Sequence, residues 1–175
     1  MFDSIFEDNP RAAIVAAIVG GTHVVTVKEI SKRPPFYPKF VGGRAEVGEK
    51  TLETVVREVN EEINLNIQLP EDQRERSKMF LELDKGVMTS TDRETGEMQW
   101  YIRYFFLVRV NPHLLAPFIN TIAIRQGVRG EKFEVTCHNF WQLRRIPWFL
   151  PAQAPLIPLL VETLRRKEAT RQAVA

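Results

Sequence analysis

The stretch from Gly43 to Leu65 reads Gly-Arg-Ala-Glu-Val-Gly-Glu-Lys-Thr-Leu-Glu-Thr-Val-Val-Arg-Glu-Val-Asn-Glu-Glu-Ile-Asn-Leu. It opens with a glycine turn that carries Glu49. From Thr51 to Ile63 the apolar residues recur at helical spacing, which predicts an amphipathic helix. Another flank of that helix carries three glutamates: Glu58, Glu61 and Glu62. The stretch therefore predicts a helix with one face for a sheet and a separate face for charge chemistry.

The glutamates on this flank predict a divalent-metal site. Glu58 and Glu62 are four residues apart, so their side chains share one face and can bind one cation, and Glu61 joins them. Carboxylates this close repel one another without a cation. Magnesium prefers carboxylate oxygen and can assist water attack on a phosphate. The alternative interpretation is an ordinary helix with a solvated acidic face.

The same stretch resembles the Nudix box, G-x5-E-x7-R-E-U-x-E-E-x-G-U, in which U is an aliphatic residue. The matching positions are Gly43, Glu49, Arg57, Glu58, Val59, Glu61, Glu62 and Leu65. Asn64 stands where the family has glycine, and asparagine is the next most tolerant residue for a left-handed helix end. The resemblance implies an α/β fold, a Nudix-like α/β/α sandwich with a mixed β-sheet, and a single domain over residues 1–175.

The resemblance also implies metal ligands and supporting residues. In the family, the glutamates matching Glu58, Glu62 and Glu61 bind Mg²⁺, which Mn²⁺ can replace, and a carbonyl of the glycine pair, Gly42 or Gly43, often helps. The remaining box positions imply a role for Arg57 in orienting a glutamate and for Glu49 in supporting the loop with Gly43.

Three residues are candidates for catalysis beyond metal binding: Glu61, Arg57 and Glu134. Family members take the catalytic base either from the box or from a later loop. The later candidates here are Glu131 and Glu134, and Glu134 is preferred because it lies a few residues before Trp141. Either one is otherwise interpreted as a solvent-facing residue.

The implied reaction is water attack on phosphorus in a nucleoside diphosphate linked to another moiety, with a small-molecule nucleotide as substrate. One alternative is a ligand-binding regulator that uses a Nudix domain without hydrolysis, although such proteins usually lose box glutamates. Another is an RNA 5′-end pyrophosphohydrolase, which should have a continuous basic surface. The sequence carries no signature that selects the substrate.

Composition limits the other classes. The net charge of +2 argues against a nucleic-acid partner. The lone Cys137 excludes an intrachain disulfide and is interpreted as a buried structural residue. Met1 to Pro10 lacks the basic region of a signal peptide, and the apolar run Ala12 to Val19 is too short to cross a membrane. A cytoplasmic protein is expected, and apolar strands with a Pro-rich C-terminal segment are compatible with a homodimer.

The rest of the chain predicts a mixed set of strands and one further helix. Ala12 to Val19, which lacks polar alternation, predicts a central strand buried on both faces, joined by Gly20-Gly21 to a second strand. Thr51 is expected to cap the box helix. Four basic residues before the box could attract an anionic substrate, or could equally be solubilising surface charge: Lys28, Lys32, Arg33 and Lys39. The further expected elements are strands His23 to Ile30, Met79 to Val87, Met98 to Val110 and Lys132 to Leu143, a weakly patterned connection Asn111 to Gly130, a helix Leu156 to Lys167 and a frayed tail Glu168 to Ala175.

Overall fold

A computed structural model describes residues 12–32, 34–91 and 95–174 of the chain. Arg33 and the ends of the sequence, including the predicted tail residue Ala175, lie outside the described residues. The elements in chain order are β1 (Ala12–Gly20), β2 (His23–Glu29), α1 (Thr51–Ile63), α2 (Gln73–Met79), β3 (Phe80–Thr91), β4 (Met98–Arg109), a 3₁₀ helix (Pro112–Phe118), β5 (Ala123–Gln126), β6 (Lys132–Asn139), a second 3₁₀ helix (Phe140–Arg145) and α3 (Leu156–Val174).

The described strands form one mixed sheet of six strands in the order β3-β4-β1-β2-β6-β5. β1 runs parallel to β4, and the other pairs are antiparallel. One core cluster, which includes Val55 and Val59 of α1, packs on one face. A second cluster, which includes Leu160 of α3, packs on the opposite face. The predicted α/β/α sandwich with a mixed β-sheet is confirmed.

β1 supplies both cores because successive side chains of a strand point to opposite faces. Ile14, Ala16 and Ile18 pack on the α1 side. Val15 and Ala17 pack on the α3 side with the rest of that cluster. This confirms the prediction of a central strand buried on both faces.

The box helix begins and ends close to where the sequence predicts. α1 ends in Asn64, whose φ of 54° and ψ of 45° are left-handed, and its N–H donates to Asn60 O. The interpretation of Asn64 as a tolerable helix end is therefore confirmed. The expected cap at Thr51 is wrong: Lys50 is the N-cap, and Thr51 is already helical with its buried Oγ1 unpaired. The Lys50 N–H is instead bound by the Glu53 side chain at 3.1 Å.

Several boundaries differ from the expectation. β3 continues past Val87 to Thr91, and β6 ends at Asn139, whose side chain accepts from Trp141 N and starts a 3₁₀ helix. The weakly patterned connection contains a 3₁₀ helix and β5. α3 continues through Val174, so the expectation of a frayed tail after Lys167 is wrong over residues 168–174. No helix in the described ranges is both long and apolar enough to span a membrane.

A segment of the chain just before α1 lies between β1 and β2. Those strands pair directly only where they meet at the hairpin, as in Val19 with Val24. Farther along, Lys39 exchanges backbone hydrogen bonds of 2.8 and 2.9 Å with Val27. On the other side Ala16 N donates to the Val41 carbonyl at 2.7 Å, and further bonds follow to residues 43 and 45. We call residues 39–45 the inserted segment, and it fixes the start of the box against the sheet.

Cys137 on β6 is buried, as the sequence predicts. Burial raises the pKa of its thiol to about 11. We expect this thiol to react slowly with a disulfide reagent in native protein at pH 8, and rapidly once the chain is unfolded. Because the folded pKa exceeds the ordinary value of 9.0, stability should also fall as the pH rises from about 9 toward about 11. Equal reaction rates in native and unfolded protein would contradict the burial.

Candidate active site

A polar cleft of about 400 Å³ lies between the inserted segment, α1 and the loop before β6. Charged side chains of both signs dominate it. Its lining residues are Glu29, Lys32, Lys39, Gly42, Arg44, Ala45, Glu46, Arg57, Glu58, Glu61, Glu62, Gly127, Arg129, Glu131 and Phe133. The three glutamates of the α1 flank, Arg57 and Gly42 are thus brought together as the sequence predicts.

Arg57 gathers three carboxylates around one guanidinium. Its Nε lies 2.8 Å from Glu49 Oε1, and its Nη1 lies 2.8 Å from Glu58 Oε1 and 3.2 Å from Glu61 Oε2. Its Nη2 donates to the Arg44 carbonyl at 2.9 Å and to Glu49 Oε2 at 3.0 Å. The hydrogen bond to Glu49 and the charge of Glu58 raise the pKa of Arg57 despite its burial. Arg57 is therefore a fixed cation that connects the loop to the helix.

Glu49 anchors the loop rather than reaching into the helix cluster. Its carboxylate also accepts from the Thr54 hydroxyl at 2.9 Å and from Glu46 N at 3.0 Å. Burial opposes ionisation of Glu49, but the hydrogen bonds from Arg57, Glu46 N–H and Thr54 lower its pKa below the ordinary value. The residue is therefore held ionised as a support for the loop.

Glu58 is buried against the backbone of the inserted segment at Gly43. A Cβ placed on Gly43 would lie 2.1 Å from Glu58 Oε1, so only glycine fits there without displacing the carboxylate. Burial raises the pKa of Glu58 to about 7, with Arg57 opposing and the charges of Glu62 and Glu61 adding to the rise. This close approach explains why the box begins with glycine.

Glu62 is also buried, and two groups of the inserted segment bind it. Lys39 Nζ lies 2.7 Å from Glu62 Oε1, and Gly42 N donates to Oε2 at 3.3 Å. Burial raises the pKa of Glu62, while the charge of Lys39 acts in the opposite direction. Glu61 is the most open of the three helix glutamates, with 29% of its side chain exposed against 11% for Glu58 and 7% for Glu62.

The donor chemistry of this cleft suits a hard divalent cation, because carboxylate oxygens are its preferred protein ligands. Within the described part of the chain, however, no three His, Cys, Asp or Glu side chains are grouped so that they could hold a metal ion as they stand. The oxygens are paired instead with Arg57 and Lys39. Burial of Glu58 and Glu62 beside other carboxylates is the observation that fits a bound cation, since an added positive charge would relieve their repulsion.

The structure does not bring Glu134 to this cleft, in contrast to the expectation from sequence. Its neighbour Phe133 lines the cleft, so Glu134 points to the α3 side of the sheet by strand alternation. There its Oε2 lies 2.8 Å from Lys28 Nζ, opposite it on β2. Glu131, the second candidate, does line the cleft, and its Oε2 accepts from Arg129 N at 3.0 Å.

Two residues that the box does not contain hold the inserted segment in place beside the carboxylates: Lys39 and Gln153. The sequence indicates Lys39 only as one of four basic residues that could attract an anion, and not as a partner of Glu62. Gln153 follows the second 3₁₀ helix and accepts from Phe40 N at 2.7 Å in a buried environment. The adjacent side chains of Phe40 and Lys39 point to opposite sides of the sheet. Gln153 therefore holds the inserted segment on the α3 side, while Lys39 faces Glu62 on the other side. Neither contact has a local sequence signal, since both join distant parts of the chain.

We expect Gln153→Leu to lower the free energy of unfolding by about 1–3 kcal/mol, because the buried Phe40 N–H loses its acceptor. Urea unfolding monitored by circular dichroism measures this change. Gln142→Leu is the matched control: Gln142 accepts from Asn139 N, but in an exposed place where water can replace it. Equal losses of stability in both variants would contradict the role of burial.

A family model described as NUDIX domain matches residues 8–160. The fold is similar to that of the E. coli dihydroneopterin triphosphate pyrophosphohydrolase (TM-score 0.57, 14% identity, covering 90% of this chain and 99% of that one). It is also similar to the NUDIX domain of Shewanella oneidensis NrtR complexed with ADP ribose (TM-score 0.54, 14% identity, 91% and 89%).

A third similar structure is MutT, described from Aliivibrio salmonicida and Vibrio cholerae (TM-score 0.51, 16% identity, 87% of this chain and 97% of that one). At such identities these similarities show a shared fold. No curated protein sequence matches the chain.

Proposed function

The chain belongs to the Nudix family of hydrolases, and from this premise we propose that it is a magnesium-dependent enzyme that cleaves a pyrophosphate bond in a nucleoside diphosphate linked to another moiety. Manganese is expected to replace magnesium. The observation that carries the proposal is the set of box carboxylates gathered in one cleft with Arg57 and Lys39. A solvated acidic face would instead leave Glu58 and Glu62 exposed, whereas both are buried.

The box residues take different roles in this proposal. Glu58 and Glu62 would be the principal ligands of the cation, with Glu61 next and the Gly42 carbonyl as a further oxygen. A magnesium ion there would neutralise charge on the phosphate oxygens and lower the pKa of a bound water. Arg57 keeps the carboxylates in register with the loop through Glu49. Gly43 allows the backbone to approach Glu58 closely.

Glu61 is the better candidate for accepting the proton of the attacking water. It is the helix carboxylate most open to the cleft, and a base must lie within hydrogen-bond reach of that water. Glu131 is the second candidate because it lines the same cleft. Glu134, on the other face of the sheet and paired with Lys28, is not proposed for this role.

The test is a substrate panel with purified protein and magnesium. It contains ADP-ribose, nucleotide sugars, dinucleoside polyphosphates, nucleoside triphosphates, dihydroneopterin triphosphate and coenzymes. The expected result is release of a phosphate-containing product from at least one compound, abolished by a chelator and restored by magnesium or manganese. No turnover of any compound by protein that still binds the metal would contradict the proposal.

A binding-only regulator is the rival from another class. The NUDIX domain of NrtR, complexed with ADP ribose, shares the fold and so keeps this alternative open. The gathered glutamates favour the hydrolase, since a protein that only binds its ligand needs no such cluster. Binding of a panel compound without turnover in magnesium or manganese would favour the regulator. For the RNA 5′-end alternative, the panel includes a triphosphorylated oligonucleotide.

A further inference from the structure

Lys39 places an ammonium group among the carboxylates that are proposed to bind metal. Its Nζ lies 2.7 Å from Glu62 Oε1, with only 17% of the Lys39 side chain and 7% of the Glu62 side chain exposed. The same Nζ lies 5.9 Å from the centre of the Phe133 ring. A lysine enclosed in this way differs from a surface charge that moves freely in water.

The backbone of Lys39 is held as firmly as its side chain. Its N–H and carbonyl both bond to Val27 of β2. The next residue, Phe40, is bound by Gln153 and packs its ring against Phe149, with ring centres 5.0 Å apart. The position of the ammonium beside Glu62 is therefore set by a segment that β2 holds through its backbone and that Gln153 and Phe149 hold at the next residue.

The ion pairs divide the carboxylates between two cationic side chains. Arg57 pairs with Glu49, Glu58 and Glu61. Lys39 pairs with Glu62, so a positive charge already lies against this carboxylate. A further divalent ion at Glu62 would meet the Lys39 ammonium at the same carboxylate, where repulsion between charges in a poorly solvated site is strong.

We infer that Lys39 occupies one cation position of this cluster, so that the protein without substrate binds a single divalent ion here. The inference rests on the metal site of the proposed function and adds a role for a residue outside the box. Lys39 is a positioning residue in this view: it holds Glu62 and limits the number of metal ions. Removing its charge should open a second ion position beside Glu62.

The experiment counts metal ions rather than turnover. Metal-free protein is titrated with Mn²⁺ in the absence of substrate, and the unbound ion is measured by its electron paramagnetic resonance signal. We expect one bound Mn²⁺ per wild-type chain, one in Lys39→Arg, which keeps the charge, and two in Lys39→Met. Lys39→Gln is a second neutral variant that can still donate to Glu62, and it should also bind two.

Lys32→Met is the matched control. Lys32 lines the same cleft, but it is paired with Glu29 and has 52% of its side chain exposed. The control removes the same charge and should still bind one ion. Thermal unfolding with and without Mn²⁺ provides a second measurement: the metal should raise Tm more in Lys39→Met and Lys39→Gln than in wild type or in Lys39→Arg.

Three results would overturn the inference: two ions in the wild type, one ion in both neutral Lys39 variants, or the same gain in Lys32→Met. Failure of the proposed reaction is a separate outcome. A wild-type protein that binds one ion but turns over no substrate would contradict the proposed hydrolysis, but it would agree with the inferred number of metal ions. A wild type that hydrolyses a substrate while the neutral variants bind one ion would contradict only the role of Lys39.

Discussion

Glu62→Gln should lower kcat by about a hundredfold or more while the protein stays folded. Mutating a residue that only hydrogen-bonds to a metal ligand typically lowers metal affinity or activity by about 10–100-fold, so the loss of a principal ligand should cost at least as much. Glutamine keeps the size of the side chain but removes the negative charge, and its single amide oxygen can replace only one of the two carboxylate oxygens that accept from Lys39 and Gly42 N. Steady-state kinetics on a substrate from the panel, with circular dichroism and Tm on the same preparations, measures both parts of this expectation.

Glu162→Gln is the control for the change of charge. Glu162 lies on α3, where its carboxylate is exposed and pairs with Arg166 four residues on. An exposed ion pair of this kind contributes little to stability, so the turnover of Glu162→Gln should equal that of the wild type. If Glu62→Gln also retained near-normal turnover, Glu62 would have to be withdrawn as a principal ligand.

Gly42→Ala should lower the free energy of unfolding by about 3 kcal/mol, near the upper end of ordinary overpacking. A Cβ at residue 42 would lie 2.3 Å from the Ile14 carbonyl oxygen and 3.1 Å from Val15 Cα. Those atoms belong to the backbone of the central strand β1, which cannot move aside as a flexible side chain can. Urea unfolding gives the change, and the apparent affinity for Mn²⁺ should fall as well, since Gly42 N binds Glu62.

Gly86→Ala on β3 is the matched control. There the nearest atom to an added Cβ is Arg103 Nη2, at 3.7 Å, which is an ordinary contact. Replacing a glycine inside a strand by alanine should leave stability unchanged or raise it by about 0.5–1 kcal/mol. A Gly42→Ala protein as stable as Gly86→Ala would show that β1 yields to the methyl group.

The parts of the fold that sequence predicts well are those with a strong local pattern. The apolar stripe of α1, the left-handed Asn64 and the run of β-branched residues in β1 each depend on neighbours within a few positions. α2 has no buried residue, so its polar sequence carries no periodic pattern that would indicate a helix. The ends of β3 and β6 depend on pairing and on a side-chain cap, which propensity alone does not define.

The candidate site shows the same division. Box spacing is enough to gather Glu58, Glu61 and Glu62 on one flank, because all three lie on a single helix. The sequence does not indicate which face of β6 carries Glu134, because a shift of one residue along a strand moves a side chain to the other face of the sheet. The contact between Lys39 and Glu62 depends on how the inserted segment enters the sheet, and no pattern within residues 31–42 indicates it.

The inserted segment links the two sides of the sheet through the peptide that joins Lys39 to Phe40. On one side of that peptide the Phe40 ring belongs to the α3 core, and on the other the Lys39 ammonium touches Glu62. A substitution that shifts Phe40 in the α3 core can therefore shift the Lys39 ammonium in the cleft, because the two residues are adjacent in the chain. Residues 149–153 contact this part of the inserted segment. A substitution among them should therefore alter the position of Lys39 relative to Glu62.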